Sequence, residues 1–498
     1  MPRLRGTARS GRSLVGPMDA GASQLDRVVD RLRGELDRDR ILEGPQAAKE
    51  VQRRSLNPGG TVAPQYLLRP QNTKECRVVV AALSSIGCYP NPIGALTTFW
   101  EPHPIGWGVG VDTLGLREPC RIDRRERVGY FGAGITVREV DRFARARGLC
   151  LVAYPDSDGE TSVGSMAAVA STTGLGLGRM PPVEQIVGLT IVTPDATVVK
   201  TGASWRFGRG GLAHGIPDPS GVFLGSQGRF GVITEVVLTL APAPFLAARS
   251  WCSPWAPPDE VASQLRRARQ RMDHGTVDSL RLETVCAGRE QPSATEWFLR
   301  CWALVSAEVA DKRCAALAQS LAARDPRGWV ESAAGRRGDL PDHDARYSVP
   351  PGAHHERTGR EGFLGIEVTT NWGDQLDAAL KLFAELFGVL GTLGLRHRRL
   401  GIYPSVHAVS IGIQAMLSGG EASADRVRAA MAKFVEPLSA LGVIPYKPGR
   451  LWREIMDQWE VGDPACAIIQ RTGLFGRSQP VGLGPTERSH RTDAGRKP

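Results

Sequence analysis

The 498 residues contain no C-x-x-C pair and no apolar run approaching the ~20 residues that cross a bilayer. The basic N-terminus has no apolar segment behind it. Nine cysteines stand at irregular spacing (Cys76, Cys88, Cys120, Cys150, Cys252, Cys286, Cys301, Cys314, Cys466), an odd count that argues against a disulfide framework or a zinc site. They read as small buried hydrophobes in a reducing compartment. No membrane span and no secretory signal are expected, and the expected location is cytoplasmic. No internal repeat is visible, and no metal site is expected.

Charge of one sign is also missing where a nucleic-acid surface would need it. The formal net charge is +10, but residues 1–17 hold Arg3, Arg5, Arg9 and Arg12 and no acid, which is +4. Residues 471–498 hold six basic residues against Glu487 and Asp493, which is again +4. Only +2 is left for the body between, so the basicity belongs to two tails rather than to a binding face. Nucleic-acid binding is therefore not expected.

What is present is an ordinary enzyme-like composition, 42% hydrophobic and 23% charged, in a chain too long for one core. Ser23 and Asp26 mark a helix start before the apolar stripe Leu25, Val28, Val29, Leu32 and Leu36. An extended segment at Tyr66–Leu68 precedes a helix from Thr73 to Ser85, and Val109, Val111, Ile122 and Val128–Phe131 read as strands. Thr136–Arg147 reads as a helix closed by Gly148. Further strands are expected at Gly188–Thr193 and Val232–Leu240, with a Pro194-Asp195 turn between them. Beyond about residue 246, strands (280–282, 298–305, 363–368, 406–413) alternate with helices (258–272, 308–324, 375–390, 424–441). The Arg-, Gly- and Pro-rich stretch 325–362 reads as a loop. The fold class is α+β.

Small residues crowd the region after Pro155: Gly159, Ser162, Gly164, Ser165, Ala167, Ala168, Ala170, Ser171, Gly174, Gly176 and Gly178. Such a segment lets a backbone lie flush against a flat or phosphorylated ligand. It is followed by Val-Gly-Leu at 187–189, Pro194-Asp195, and Gly225-Ser226-Gln227-Gly228-Arg229-Phe230-Gly231-Val232-Ile233-Thr234-Glu235. Taken together these motifs resemble the FAD-binding domain of the vanillyl-alcohol oxidase/p-cresol methylhydroxylase flavoprotein family, over about residues 25–470.

The resemblance implies a two-lobed FAD-binding domain at 21–245, with lobes at about 50–122 and 123–242 and the FAD between them. It implies an α+β sandwich cap, or substrate, domain at 246–450 and a C-terminal return at 451–475, with tails at 1–20 and 476–498. The flavin contacts it implies are Gly94, Ala95, Pro155, Ser162, Gly164, Ser165, Ala168, Thr172, Gly178, Gly231, Val232 and Ile233. The pyrophosphate loop, Tyr89-Pro90 through Trp100, keeps Gly94 but has lost most of the family's glycines. It offers no histidine for a covalent flavin bond, so noncovalent FAD is expected.

On the cap side, Tyr446-Lys447 and Met456-Asp457 resemble a segment of the phenol-oxidising branch in which a Tyr-Arg pair binds a phenolate. Lys447 keeps the charge and loses the planar fork. The implied reaction moves hydride from a 4-substituted phenol or an alcohol carbon to flavin N5, with O2 or another carrier as electron acceptor. A 2-hydroxy-acid dehydrogenase of the same fold is the alternative, although the H-x-G-D-G-N-x-H pattern of that branch is absent. A flavin-poor, non-catalytic relative is the alternative of another class. His407 reads as a core or strand histidine. The expected partners are a small aromatic or hydroxylated substrate and the acceptor, and the resemblance is compatible with a homodimer.

Overall fold

Leu25, Val28, Val29 and Leu32 recur at helical spacing, and all four are buried on helix α1 (Asp19–Leu32). The structure is a computed structural model. It describes residues 19–55, 64–88, 91–97, 108–155, 159–172, 174–176, 181–202, 218–243, 246–253, 258–273, 279–286, 297–304, 330–331, 362–395, 397–405, 407–417 and 424–446, with the single positions 312 and 452. Helix α1 begins four residues ahead of the Ser23–Asp26 signal. Asp26 serves elsewhere: its carboxylate accepts from the Tyr66 hydroxyl at 2.6 Å and from Gln65 Nε2 at 3.3 Å.

The first sheet contains β1 (Ile41–Glu43), β2 (Tyr66–Leu68), β3 (Asn91–Ile93) and β4 (Val109–Asp112), in the order β1-β2-β4-β3. Strand β2 runs parallel to β4, and β4 parallel to β3. Helix α3 (Thr73–Ser84) follows β2, its start capped by Asn72, which accepts from Glu75 N at 3.0 Å. Residues 91–93 carry no strand signal because Pro92 cannot donate to a ladder. An edge position next to β4 alone tolerates it.

Helix α2 (Gly44–Arg54) is fastened to this sheet by charge. Asp112 is fully buried and accepts from Arg54 Nη1 and Nη2, both at 2.8 Å, and from Arg69 Nε at 2.7 Å. Burial pushes the Glu50 carboxylate up, but hydrogen bonds and positive charge from Arg53 and Arg54 outweigh that and hold it at about 2. Arg54 does most of this, since Arg53 is 66% exposed and well screened. A folded pKa below the ordinary 4.5 stabilises the fold above that pH, and the gain is lost as pH falls through about 2. Glu50→Gln should therefore lower the melting temperature at neutral pH, and the gap from the parent protein should narrow steadily below pH 4.5.

The second sheet is antiparallel and six-stranded. Its main order is β11 (Val198–Lys200), β10 (Ile186–Val192), β12 (Val232–Pro242), β6 (Val128–Gly132) and β5 (Cys120–Asp123), and β7 (Leu149–Leu151) pairs with the end of β12. Strand β5 thus belongs to the second sheet, and the division between the sheets falls between Asp112 and Cys120. Helix α4 (Val137–Arg145) opens with a reciprocal capping box between Thr136 and Glu139. A two-stranded ribbon of β8 (Ala153–Pro155) and β9 (Gly174–Gly176) flanks the short helix α5 (Val163–Ala168), and α6 (Ser220–Phe223) precedes the Gly225–Gly231 turn. Cys76 and Cys150 are buried and Cys88 is partly so, but Cys120 is exposed on edge strand β5, contrary to the uniform burial expected of the cysteines.

The C-terminal sheet has eight strands: β13 (Leu246–Ser253), β14 (Ser279–Cys286), β15 (Trp297–Leu304), β16 (Val330–Glu331), β17 (Gly362–Thr370), β18 (His397–Pro404), β19 (Val409–Leu417) and β20 (Ile444–Pro445). Their order is β16-β13-β15-β14-β18-β19-β17-β20. One face packs on α7 (Pro258–Asp273), α8 (Asp374–Thr392) and α9 (Ala424–Ala440). Leu364, Ile366 and Val368 of β17, Ile411 and Ile413 of β19, and Leu400 and Ile402 of β18 supply its apolar side. Trp452 joins the same core. Period-two alternation then puts Glu367, Thr369, Ser410, Gly412, Gly401 and Tyr403 on the opposite face.

Strand β19 starts at Val409 rather than Val406, because Ser405 N donates to the Ala408 carbonyl at 2.8 Å just ahead of it and turns the chain there. His407 lies in that turn and is exposed, so it is neither a core nor a strand histidine. The expected helix at 308–324 lies outside the described residues apart from Lys312, as does the 325–362 loop apart from β16 and Gly362.

Candidate functional site

Three segments far apart in sequence converge beside α5. Ser162 caps this helix: its hydroxyl accepts from Ser165 N at 3.2 Å and donates to the Ser165 hydroxyl at 3.0 Å. The Ser165 hydroxyl in turn lies against Gly94, where an added Cβ would stand 2.1 Å from Ser165 Oγ. Only glycine fits there without displacing a neighbour. The loop after β3 is also tied to the entry of α5 by the Thr97 and Thr161 hydroxyls, 2.8 Å apart. Ala95 is buried, and Leu96 adopts a positive φ of 55°, strained for a leucine.

The third segment is the Gly225–Gly231 turn. Gly225 N donates to the Ala167 carbonyl at 3.0 Å, and Gln227 N to the Ala168 carbonyl at 2.8 Å, closing the C-terminal end of α5. A Cβ on Gly228 would reach Pro92 of β3 at 2.9 Å, and one on Gly231 would meet the Val192 carbonyl at 2.4 Å. Val232 and Ile233 follow in β12 and are buried in the core, so any ligand contact there is through their backbone. Pro155 ends β8, paired with Gly174. Gly164 is pressed against Ala133, just after β6, where a Cβ would lie 2.8 Å from the Ala133 carbonyl. A side chain at 164 would thus wreck the packing of α5 before it reached any ligand.

The C-terminal sheet meets this assembly through Tyr446. Its N–H donates to the Glu367 carbonyl at 3.0 Å, which sets Tyr446 beside Glu367 at the sheet edge. Its hydroxyl accepts from the Thr172 N–H at 3.0 Å, 274 residues away in the small-residue segment. Glu367 is only 2% exposed. Sequence reading missed it, although a lone acid inside the apolar run Phe363–Val368 was the available signal. Lys447, Gly178, Tyr89, Pro90, Met456, Asp457 and the C-terminal return apart from Trp452 lie outside the described residues.

These residues suit a large, flat, phosphorylated cofactor. The walls are backbone and small side chains, and the Thr172 hydroxyl is buried without a hydrogen-bond partner beside Tyr446. Residues 64–202 match the family described as FAD binding domain. The chain carries an FAD-binding domain in the fold of the p-cresol methylhydroxylase-type flavoproteins. The whole chain is similar in structure to 4-ethylphenol oxidase from Gulosibacter chungangensis, with a TM-score of 0.73 at 11% identity over 91% of this chain and 95% of that one. It is similarly close to p-cresol methylhydroxylase, with a TM-score of 0.71 at 12% identity over 92% and 96% of the two chains.

In sequence, the D-lactate dehydrogenase of Anaerostipes hadrus is 24% identical over 212 residues, 41% of this chain and 42% of that protein. The glycolate oxidase subunit GlcD of Bacillus subtilis is 23% identical over 184 residues, 36% and 38% of the two. The chain therefore spans less than half the length of these curated relatives. No helix among the described residues is long and apolar enough to cross a membrane.

Proposed function

We propose that the protein is an FAD-dependent oxidoreductase that takes hydride from the benzylic carbon of a 4-substituted phenol or from an alcohol carbon. The observation that carries this reading is the Tyr446 hydroxyl bonded to the Thr172 N–H, which brings the polar face of the C-terminal sheet onto the small-residue segment of the flavin domain. Bound FAD supplies the two-electron acceptor. The chain supplies placement and charge. Tyr446, its oxygen accepting from Thr172, is strengthened as a donor toward a phenolic oxygen. Glu367, a buried carboxylate on the same face, is the group to accept the phenolic proton as the ring pushes electrons toward the carbon losing hydride. Lys447, next in sequence, would add positive charge favouring the phenolate.

A second reading, oxidation of a 2-hydroxy acid, is supported by the sequence similarity to D-lactate dehydrogenase and glycolate oxidase. The solved structures similar over more than nine-tenths of the chain include two phenol oxidisers, and this similarity extends across the cap. The family resemblance makes the cap the substrate domain, and we prefer the phenol reading on that ground.

Purified protein should be yellow, and denaturation should release FAD. Anaerobic mixing with 4-ethylphenol, p-cresol, vanillyl alcohol, D-lactate or glycolate should bleach the flavin with at least one compound of the phenol set. A colourless protein that takes up no added FAD would overturn both readings. Bleaching by the hydroxy acids alone would select the second.

A further inference from the structure

The loop that follows β3 holds a residue in a conformation its own type disfavours. Leu96 has a φ of 55°, in the left-handed region where a Cβ crowds the following carbonyl and where glycine rests without penalty. The surrounding sequence gives no relief, since the segment from Tyr89 to Trp100 has lost most of the glycines of the family it resembles. A residue strained in this way persists only when its surroundings fix it. What grips the loop is therefore part of how the loop works.

Hydroxyl groups grip it at both ends. Ahead of the loop, the Thr113 hydroxyl donates to the Ile93 carbonyl at 3.1 Å, on the residue immediately before Gly94. Behind it, the Thr97 and Thr161 hydroxyls stand 2.8 Å apart. Between the two, Gly94 lies against Ser165, Ala95 is buried, and Leu96 packs on the small cluster Ala47, Val51, Leu67 and Ile93. Thr113 is itself firmly placed. It opens a single helical turn, Thr113–Gly115, at the end of β4, and the fully buried Asp112 carboxylate caps that turn by accepting from Leu114 N at 3.1 Å. Arg54 and Arg69 hold the same carboxylate, and Asp112 stands beside Ile93 in the β3–β4 pairing.

We propose that Thr113 is a positioning residue for FAD binding: with the Thr97–Thr161 pair it keeps residues 94–96 folded around a left-handed Leu96 before the cofactor arrives. The inference rests on the FAD-binding domain and on the placement of this loop at the cofactor, and is independent of the substrate reading. Thr113 gives its hydroxyl proton to the chain, so it acts on FAD through the loop. A loop already ordered in the apoprotein spares the binding step that ordering cost. The clamp thereby replaces the missing glycines, because a glycine at position 96 would need no external hold to keep a positive φ.

The test is a double-mutant cycle on the full-length protein. FAD is titrated onto each apoprotein and followed by flavin fluorescence, with thermal unfolding and amide hydrogen exchange at residues 94–97 measured on the same apoproteins. Thr113→Val removes the hydroxyl and keeps the shape. It should weaken FAD binding by about five-fold or more and speed exchange at 94–97. Thr113→Ser keeps the hydroxyl and should bind FAD as the parent does. Leu96→Gly on the Thr113→Val background should recover most of the lost affinity, and alone should change affinity little. The packing that Leu96 loses against Val51 and Leu67 is common to both backgrounds and cancels in the cycle. Should Thr113→Val melt far below the parent, Thr97→Val tests the other end of the clamp, with the same rescue expected.

Equal FAD affinity in the parent and Thr113→Val would overturn the positioning role, even with faster exchange at 94–97, since the loop would then be held but not used by the cofactor. A loss of affinity that Leu96→Gly leaves untouched would overturn the link to the left-handed residue, and the clamp with it. Parent-like exchange at 94–97 in Thr113→Val would overturn the clamp whatever the titration gives. Parent protein that takes up no FAD would instead overturn the cofactor assignment, so the two fail separately.

Discussion

Gly94→Ala protein should leave purification with little bound FAD, and adding Ser165→Ala should bring the flavin back. The added methyl would sit 2.1 Å from Ser165 Oγ, with Ser165 Cβ and Ser162 Oγ next at 3.5 Å, an ordinary contact distance. One hydroxyl therefore accounts for the clash. Overpacking of this kind costs about 1–3 kcal/mol, which is about five-fold to more than a hundred-fold in FAD affinity if it falls on the bound state. The strain falls on the loop after β3 and on the first turn of α5, two elements that the site needs in register. Ser165→Ala alone should have a small effect, since Ser162 still caps the helix through Ser165 N. The double variant should therefore bind FAD far better than the sum of the single effects predicts. Equilibrium FAD titration of the four proteins, with thermal unfolding of each apoprotein as control, checks this. Unchanged affinity in folded Gly94→Ala would remove the loop from the cofactor site.

The packing of the N-terminal sheets and small-residue segments was readable because several of their positions admit no residue but glycine. Gly94, Gly228 and Gly231 are each pressed against a neighbour at less than 3 Å from a notional Cβ, so the small-residue pattern is a direct record of the packing. Apolar periodicity placed α3 and α4, whose buried faces follow the 3.6 repeat, and continuous apolar runs placed β10 and β12, of which β10 is buried along its whole length. Strand β3 escaped because its proline speaks against pairing in every context but an edge. Strands β13 and β18 escaped because Arg249 in one and His397-Arg398-Arg399 in the other break the alternation that marks a strand. Part of that charge is internal: Arg398 is buried and donates to the Leu395 carbonyl at 3.0 Å.

The polar face of the C-terminal sheet was less legible for a different reason. Glu367 and Tyr446 are ordinary residues until the pairing of β17 with β20 sets them side by side. Register between strands more than 30 residues apart has no local signature.

Tyr446→Phe and Lys447→Ala should each slow flavin reduction by a 4-substituted phenol by about ten-fold or more, and leave flavin content unchanged. A hydrogen bond to a charged partner is worth about 1.5–3 kcal/mol, and each 1.36 kcal/mol on the barrier is a factor of ten. For Tyr446 there are two losses. The substrate loses a donor, and the Thr172 N–H, held at 3.0 Å, loses its acceptor inside the seam. The second loss should also appear as a lower melting temperature, which Lys447→Ala should not share. The two substitutions act on the same oxygen of the substrate, so their combined effect on the rate should be less than additive.

The alternative substrate class gives a different pattern. With a 2-hydroxy acid, Lys447→Ala would remove a partner for the carboxylate in ground state and transition state alike, raising the apparent substrate constant while sparing the limiting rate. Rapid-mixing reduction over a range of concentrations separates the two, because the phenol case appears in the limiting rate and the hydroxy-acid case in the half-saturation point. Limiting rates and half-saturation points unchanged in both variants would take the pair out of the mechanism and leave the buried Glu367 to be tested in its place.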